Sequence, residues 1–206
     1  DSGMAMSSVM VRGWDRYPLA EKISELAKAP AFIDNDVNTA AMAELHLRPG
    51  IRSMLFAAVG TGIGGALVLN GELVRGISGC AGELGHIAVD RAGKSSWDGR
   101  KGTLNALSSG TALELATGLT GDALSAAWER QDFAVVAAVE DAAEALGIGM
   151  ANAVYVVNPE QVVIGGGIAS LGEEYLELVR QAAHKVLFKE ASEVCAFSFA
   201  RAGYEA

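Results

Sequence analysis

The sequence has few of the features that mark disulfide-rich, membrane-spanning or nucleic-acid-binding proteins. Two cysteines, Cys80 and Cys195, stand in 206 residues, so no framework of several disulfides is possible. Reduced thiols in a cytoplasmic protein are expected, although a single bridge stays open. The 16 Lys and Arg against 25 Asp and Glu give a net charge of −9, which argues against a nucleic-acid surface within the chain. Carboxylates interrupt the most apolar long segment, 133–157, so no membrane span is expected.

Apolar segments and glycine clusters are abundant instead, and they alternate along the chain. The unbroken apolar run at 53–59 is typical of a strand buried on both faces, and Asn70-Gly71 predicts a hairpin turn. Periodicity predicts helices at 18–28, 37–47, 132–154 and 173–186, and strands at 31–34, 53–59, 66–70, 86–90, 161–164 and 194–200. The alternation predicts an α/β protein with ligand loops at the ends of its strands.

Two glycine clusters follow predicted strands. Residues 60–65 offer backbone N–H groups and the hydroxyl of Thr61, a nest that suits phosphate oxygens, although a tight turn also needs glycine. The cluster lacks the lysine of a P-loop and precedes a strand, which argues against a Rossmann fingerprint. The run Gly165-Gly166-Gly167 favours contact with a nucleotide, because a simple strand-to-helix turn needs one glycine and not three.

One carboxylate and one polar pair are candidates for chemistry. Asp36 stands at a predicted helix start, where the helix dipole favours the carboxylate form, so it is either a proton acceptor or a capping residue. Glu83 and His86 are three residues apart and either grip hydroxyl groups or form a surface ion pair. Spacing leaves open whether His86 binds a metal, a substrate or neither.

Five blocks, in this order, resemble the ROK family of repressors, open reading frames and sugar kinases. They are NDVNTAAMAE (35–44), GTGIGGALVLNGELVRG (60–76), GCAGELGHI (79–87), SSGTAL (108–113) and NPEQVVIGGGI (158–168). The resemblance implies an actin-like ATPase (ribonuclease H-like) fold, with two α/β domains around a cleft for sugar and ATP. Residues 1–35 would be a remnant of the smaller N-terminal domain, and residues 36–206 the larger C-terminal domain.

The resemblance also implies a role for each matching residue. Asp36 would take the proton of the sugar hydroxyl, and three further side chains would hold other hydroxyls, namely Asn35, Glu83 and His86. Eight positions would bind the nucleotide cofactor through its phosphates or adenosine: Gly60, Thr61, Gly62, Gly64, Gly65, Gly165, Gly166 and Gly167. Mg²⁺ would bridge the phosphates. A homodimer is expected, and DNA would be a partner only if a helix-turn-helix lies upstream.

The chain departs from the family pattern in a loop after His86. Family members carry three cysteines there, which with the histidine hold zinc, whereas this chain has Ser96, Asp98 and Thr103. Neutral hydroxyls are poor zinc ligands, so His86 is expected to contact the substrate without a metal. Trp97 is the expected replacement anchor for the loop.

The other departures concern a sugar contact and the ends of the chain. The glutamate that ends the family's loop is Asn105 here, a substrate-binding residue whose amide still donates and accepts hydrogen bonds. The chain begins after the position of the family's N-terminal phosphate loop and stops short of its last helix, so an internal portion of a longer protein is expected.

The leading hypothesis is therefore an ATP-dependent kinase for a hexose or hexose derivative. The alternatives are a sugar-responsive transcriptional repressor, whose DNA-binding region lies outside this sequence, and a degenerate sugar-binding protein that has lost activity. Retention of Asp36 argues against the last.

Overall fold

The computed structural model describes residues 3–5 and 14–202, which fall into two compact units, residues 1–36 and 37–206. In the first unit, α1 (Leu19–Ala27) matches the predicted helix and ends at Lys28, whose φ is positive. The predicted strand at 31–34 is wrong: within the described part of the unit this segment pairs with no strand, and Phe32 is exposed. The assignment of the units to family domains stays a prediction.

The second unit is built on one five-stranded mixed sheet. Its strands are β1 (Met54–Val59), β2 (Ile63–Leu69), β3 (Glu72–Val74), β4 (Gln161–Gly165) and β5 (Ala196–Phe199). The order is β3-β2-β1-β4-β5. Strand β2 pairs antiparallel with both β1 and β3, whereas β4 pairs parallel with both β1 and β5. Positive φ angles at Asn70 and Gly71 confirm the predicted hairpin turn between β2 and β3.

Strand β1 is central and buried on both faces, as its apolar run predicts. Leu55, Ala57 and Val59 belong to the larger core, whereas Met54 and Phe56 belong to a second cluster that includes part of a helix on the opposite face. The alternation follows from the two-residue period of a strand, and it requires that both faces be covered.

Seven helices of the second unit cover the sheet among the residues described. They are α2 (Asp36–His46, which starts at the unit boundary), α3 (Leu104–Ser108), α4 (Gly110–Thr117), α5 (Gly121–Glu129), α6 (Phe133–Val157), α7 (Gly172–Val186) and α8 (Lys189–Val194). Helices α6 and α7 pack closely because Gly147 of α6 has no side chain, and a Cβ there would lie 2.5 Å from the carbonyl oxygen of Val179. No helix in the described ranges has the length and hydropathy to cross a membrane.

Two predicted strands differ from the structure. His86 ends a short 3₁₀ turn (Leu84–His86), and the predicted strand 86–90 contributes only an isolated bridge between Ala88 and Thr103. The backbone N–H groups of Val89 and Asp90 both donate to the carbonyl of Gly102, so this segment closes a loop on itself and does not join the sheet. The last strand begins at Ala196 because α8 occupies the residues up to Val194.

A buried ion pair fixes α2 to the end of β5. The guanidinium of Arg48 lies 2.8 Å from the carboxylate of Glu44, and both side chains are almost fully buried. The second carboxylate oxygen of Glu44 accepts from the backbone N–H groups of Arg201 and Ala202, and Arg48 donates to the carbonyl of Phe199. Both carboxylate oxygens of Glu44 therefore have hydrogen-bond donors, and the Arg48 guanidinium has both a carboxylate and a carbonyl as acceptors. A buried charge requires such partners.

We expect Glu44→Gln to lower the free energy of unfolding by roughly 3 kcal/mol, since it leaves the buried Arg48 charge uncompensated. Urea unfolding at neutral pH measures the loss. The matched control is Glu177→Gln, which removes a partner of Arg180 in an ion pair that is close to half exposed and should cost less than about 1 kcal/mol. Equal losses in the two variants would contradict a stabilising role for the buried pair.

Candidate active site

The first glycine cluster forms a turn between β1 and β2 that is held against the start of α4. The N–H of Gly60 donates to the carbonyl of Gly62 at 2.8 Å. The N–H of Gly110 donates to the carbonyl of Gly60 at 2.7 Å, and the hydroxyl of Thr111 donates to the backbone carbonyl of Thr61 at 2.8 Å. The turn and the N-terminus of α4 therefore form one rigid polar surface.

Gly64 and Gly65 lie inside β2 rather than in the turn. A Cβ at Gly64 would lie 2.6 Å from Cγ2 of Val37 in α2, and one at Gly65 would lie 2.4 Å from the carbonyl oxygen of Gly82. Neither position leaves room for a side chain, so packing accounts for both glycines. Their contact with phosphate stays a prediction.

The side chain of Asn105 joins two of the predicted site segments. Its Oδ1 accepts from the N–H of Ile63, at the start of β2, at 2.7 Å. A Cβ on Gly85 would lie 2.7 Å from Nδ2 of Asn105 and 2.1 Å from the carbonyl oxygen of Ile63, so the 3₁₀ turn presses directly on both. Asn105 thus holds the glycine turn and the Glu83–His86 turn together, and its predicted contact with sugar would use the remaining amide capacity.

A cleft of about 210 Å³ opens beside the glycine turn. Its polar lining comes from the turn itself, from α4, from the start of α5 and from the segment Gly167–Leu171 after β4, and its apolar lining comes mainly from leucine and isoleucine. The polar residues are Gly60, Thr61, Gly110, Thr111, Glu114, Thr120, Gly121, Gly167 and Ser170. A mixed cleft with convergent polar groups is the ordinary form of a small-molecule site.

The triple glycine divides between packing and cleft. Gly165 is the last residue of β4, and a Cβ there would lie 3.0 Å from the ring of Phe56. Gly166 has a φ of 86°, and a Cβ there would lie 2.5 Å from the carbonyl oxygen of Val59, so only glycine fits. Gly167 lines the cleft. Close packing explains the glycines at Gly165 and Gly166, and their contact with a nucleotide stays a prediction.

Glu83 and His86 meet at the 3₁₀ turn. Oε2 of Glu83 lies 3.9 Å from Nε2 of His86, and the side chains are 55% and 35% exposed. The residues between them, Leu84 and Gly85, are buried and anchor the turn in the core. The exposed pair therefore stands on a rigid base, as a site that positions hydroxyl groups requires.

The loop after His86 is held by polar contacts and not by the predicted tryptophan. Trp97 is 74% exposed, so its expected anchoring role is wrong. Asp98 instead accepts from the hydroxyl of Ser96 and pairs with the guanidinium of Arg100, while the backbone N–H of Ser96 donates to the carbonyl of Arg100 at 2.8 Å. A short polar cluster therefore closes the tip of the loop.

The residues at the family's zinc positions do not suit the metal. The hydroxyl of Thr103 accepts from the N–H of Ala106 and caps α3, and Ser96 is engaged within its own loop. The cation of Arg100 sits on Asp98, the one carboxylate of the set, and would repel a second cation. Among the described residues no group of three His, Cys, Asp or Glu side chains forms a metal site.

Asn35 and Asp36 lie at the start of α2. Asp36 is the first residue of the helix, and the N–H of Asn35 donates to the side chain of Asp34 at 2.9 Å. Val37, the next residue, packs on Gly64 of β2. Whether Asn35 and Asp36 meet Glu83 and His86 around a sugar stays a prediction.

The sequence did not single out several residues that line the cleft, chiefly Thr111, Glu114 and Ser170. A signal for the first was present: Ser109 caps α4 through the N–H of Ala112, and a capping serine followed by Gly110-Thr111 marks a helix start with accessible backbone. The other two carry no local signal, because only the packing of separate elements brings them to the cleft.

Comparison with known proteins agrees with this geometry. The model of the ROK family matches residues 2–206. The chain is 31% identical over 229 residues to a glucokinase of Halalkalibacterium halodurans, covering 100% of this chain and 69% of that protein. It is 34% identical over 186 residues to the N-acetylmannosamine kinase of Citrobacter koseri, covering 86% and 63%.

A solved structure gives the same fold. The ROK family glucokinase from Streptomyces griseus, in complex with glucose and AMPPNP, matches with a TM-score of 0.84 at 26% identity. The match covers 100% of this chain and 74% of that one. The mixed sheet and this match confirm the predicted α/β class and actin-like ATPase fold. The chain spans about two thirds of the length of the curated relatives named above.

Proposed function

The chain belongs to the ROK family, and we propose that its protein is an ATP-dependent kinase that phosphorylates a hydroxyl of a hexose or hexose derivative. The relatives named as glucokinase and N-acetylmannosamine kinase support this reaction class. The bound glucose and AMPPNP in the Streptomyces griseus structure support ATP and a sugar as the two substrates.

One observation carries the proposal: the two candidate sites meet along the first residues of β2. The N–H of Ile63 donates to the side chain of Asn105, and Gly85 of the 3₁₀ turn packs against the carbonyl oxygen of Ile63. The glycine turn ends immediately before Ile63. A phosphate-binding surface and a hydroxyl-binding turn thus share one short, rigid support, which is what transfer between two bound substrates needs.

On the sugar side, the proposed chemistry is proton removal and orientation. The carboxylate of Asp36 takes the proton of the reacting hydroxyl as its oxygen attacks the terminal phosphorus, and ADP leaves with the electrons of the broken P–O bond. Asp36 is the first residue of α2, so its carboxylate stands at the N-terminus of that helix. Asn35, Glu83, His86 and Asn105 hold the other hydroxyls.

On the nucleotide side, the proposed chemistry is neutralisation of the phosphate charge and positioning of the phosphates. The turn at 60–62 and the start of α4 hold phosphate oxygens, and Gly167 lies against the nucleotide. Mg²⁺, when bound with ATP, neutralises phosphate charge; it takes most of its ligands from phosphate and water, and Glu114 is a carboxylate on the cleft wall. A cytoplasmic homodimer completes the proposal, and free Cys80 and Cys195 accord with a reducing compartment.

The nucleotide cleft is tested by Gly60→Val. A Cβ at Gly60 would meet no atom within 4 Å, and the residue lines the cleft, so the new side chain should enter the space proposed for phosphate without disturbing the fold. We expect ATP affinity to fall about tenfold or more, the cost of losing at least one charge-assisted hydrogen bond.

Calorimetry on the full-length protein measures ATP and glucose binding separately, with the thermal midpoint of unfolding as the check on folding. Unchanged glucose affinity and an unchanged midpoint would assign the loss to the cleft. Normal ATP binding by Gly60→Val would remove the turn from the nucleotide site.

A further inference from the structure

The ring of His86 lies beside a cluster of three residues that we call the Asp98 cluster: Ser96, Asp98 and Arg100. Oδ2 of Asp98 is 3.4 Å from Nδ1 of His86. The side chain of Asp98 is only 10% exposed, whereas that of Arg100 is 62% exposed. A nearly buried carboxylate therefore faces one ring nitrogen of a residue whose other nitrogen lies towards Glu83.

Nδ1 of His86 needs a partner. The atom is buried, and among the described residues no group meets full hydrogen-bond geometry with it. A buried N–H without an acceptor is costly, and a carboxylate at 3.4 Å is close enough to accept after a small movement of either side chain. A carboxylate at Nδ1 places the proton of the neutral ring on that nitrogen and leaves the lone pair on Nε2.

We propose that Asp98 is a positioning residue for sugar binding: it fixes the orientation and tautomer of His86 so that Nε2 accepts a hydrogen bond from a sugar hydroxyl. The inference rests on the proposed function, because it assigns a sugar to His86. In metal sites, a carboxylate that accepts from the ring nitrogen not bound to the metal fixes the orientation and tautomer of the histidine. Asp98 would fix His86 in the same way, without a metal.

The cluster is built to keep Asp98 ionised and in place. The Ser96 hydroxyl, the backbone N–H of Arg100 at 3.1 Å and the Arg100 guanidinium all donate to it. These contacts, first that of Ser96, hold the pKa of Asp98 well below its usual range. The carboxylate is therefore charged at neutral pH and can accept a hydrogen bond from Nδ1 of His86.

The tautomer can be measured without any sugar. Nitrogen-15 NMR of the full-length protein distinguishes a protonated ring nitrogen from one with a free lone pair, and a His86→Gln sample identifies the signals of His86. In the neutral ring we expect Nδ1 to be protonated and Nε2 to be unprotonated. The opposite tautomer in the unmodified protein would overturn the proposal.

The effect on sugar is measured with Asp98→Asn, with Trp97→Ala as the matched control. Trp97 adjoins Asp98 but is mostly exposed, so its loss should leave sugar binding unchanged. Asp98→Asn should weaken glucose or N-acetylmannosamine binding about tenfold or more, as loss of a charge-assisted contact does. It should raise KM for the sugar while kcat at saturating sugar and ATP affinity change less than about twofold.

Three results overturn the inference. The first is an Asp98→Asn variant whose sugar affinity and His86 tautomer match those of the unmodified protein. The second is a loss of sugar affinity in Trp97→Ala equal to that in Asp98→Asn. The third is one tightly held zinc per chain by elemental analysis. If the unmodified protein binds neither sugar, the proposed function fails, and the NMR measurement still decides whether Asp98 sets the tautomer of His86.

Discussion

Asp36→Asn is expected to lower the turnover of sugar phosphorylation by about a hundredfold or more while the protein keeps its fold and most of its sugar affinity. Asparagine has nearly the shape of aspartate but cannot take a proton, and loss of a general base has an effect of this size. Steady-state kinetics with saturating sugar and ATP measure kcat, and calorimetry measures binding.

The control for Asp36→Asn is Glu190→Gln, which neutralises a carboxylate in the first turn of α8. It lines no part of the cleft described above and should leave kcat unchanged. Turnover in Asp36→Asn equal to that of the unmodified protein would remove Asp36 from the role of base and leave it as a helix-start residue only.

Gly85→Ala should abolish most sugar affinity, because it forces the turn that carries Glu83 and His86 away from β2. The new Cβ would lie 2.1 Å from the carbonyl oxygen of Ile63, and backbone cannot yield as a flexible side chain would. Displacing both hydroxyl contacts should weaken sugar binding about a hundredfold, the sum of two hydrogen bonds to polar or charged groups. Overpacking should also cost roughly 1–3 kcal/mol of stability.

Gly60→Ala is the matched control for this variant, since a Cβ at Gly60 would meet no atom within 4 Å. It tests what adding one methyl group to a neighbouring glycine does when space is open. Unfolding by urea and titration with glucose compare the two. If Gly85→Ala bound glucose as tightly as Gly60→Ala, the 3₁₀ turn would not be the sugar-binding element.

Much of the fold follows from local pattern. The apolar run of β1, the Asn70-Gly71 turn and the helical periods of α6 and α7 each carry their signal within a few residues, and the structure confirms them. The order of the five family blocks adds the topology, because a shared order of blocks implies a shared sheet. These predictions needed no knowledge of contacts between distant segments.

The parts that failed depend on distant contacts. Trp97 has the composition of an anchor, but burial is decided by whether the loop folds over it, and the Asp98 cluster closes the loop in another way. The segment 86–90 has the apolar alternation of a strand, yet the N–H groups of Val89 and Asp90 donate to the carbonyl of Gly102 and not to a strand of the sheet. The close packing of Gly65 on Gly82 is likewise a contact between distant segments that the sequence does not show, and the contact of Gly65 with phosphate stays a prediction.

The central claim is transfer of a phosphoryl group from ATP to a hexose. Phosphorus-31 NMR tests it most directly, with full-length protein, ATP, Mg²⁺ and either glucose or N-acetylmannosamine. We predict a sugar phosphate signal that grows as ATP is converted to ADP, only when sugar is present, and that is reduced about a hundredfold in Asp36→Asn. Firm binding of sugar with no sugar phosphate formed, and with ATP loss equal in the presence and absence of sugar, would contradict the claim.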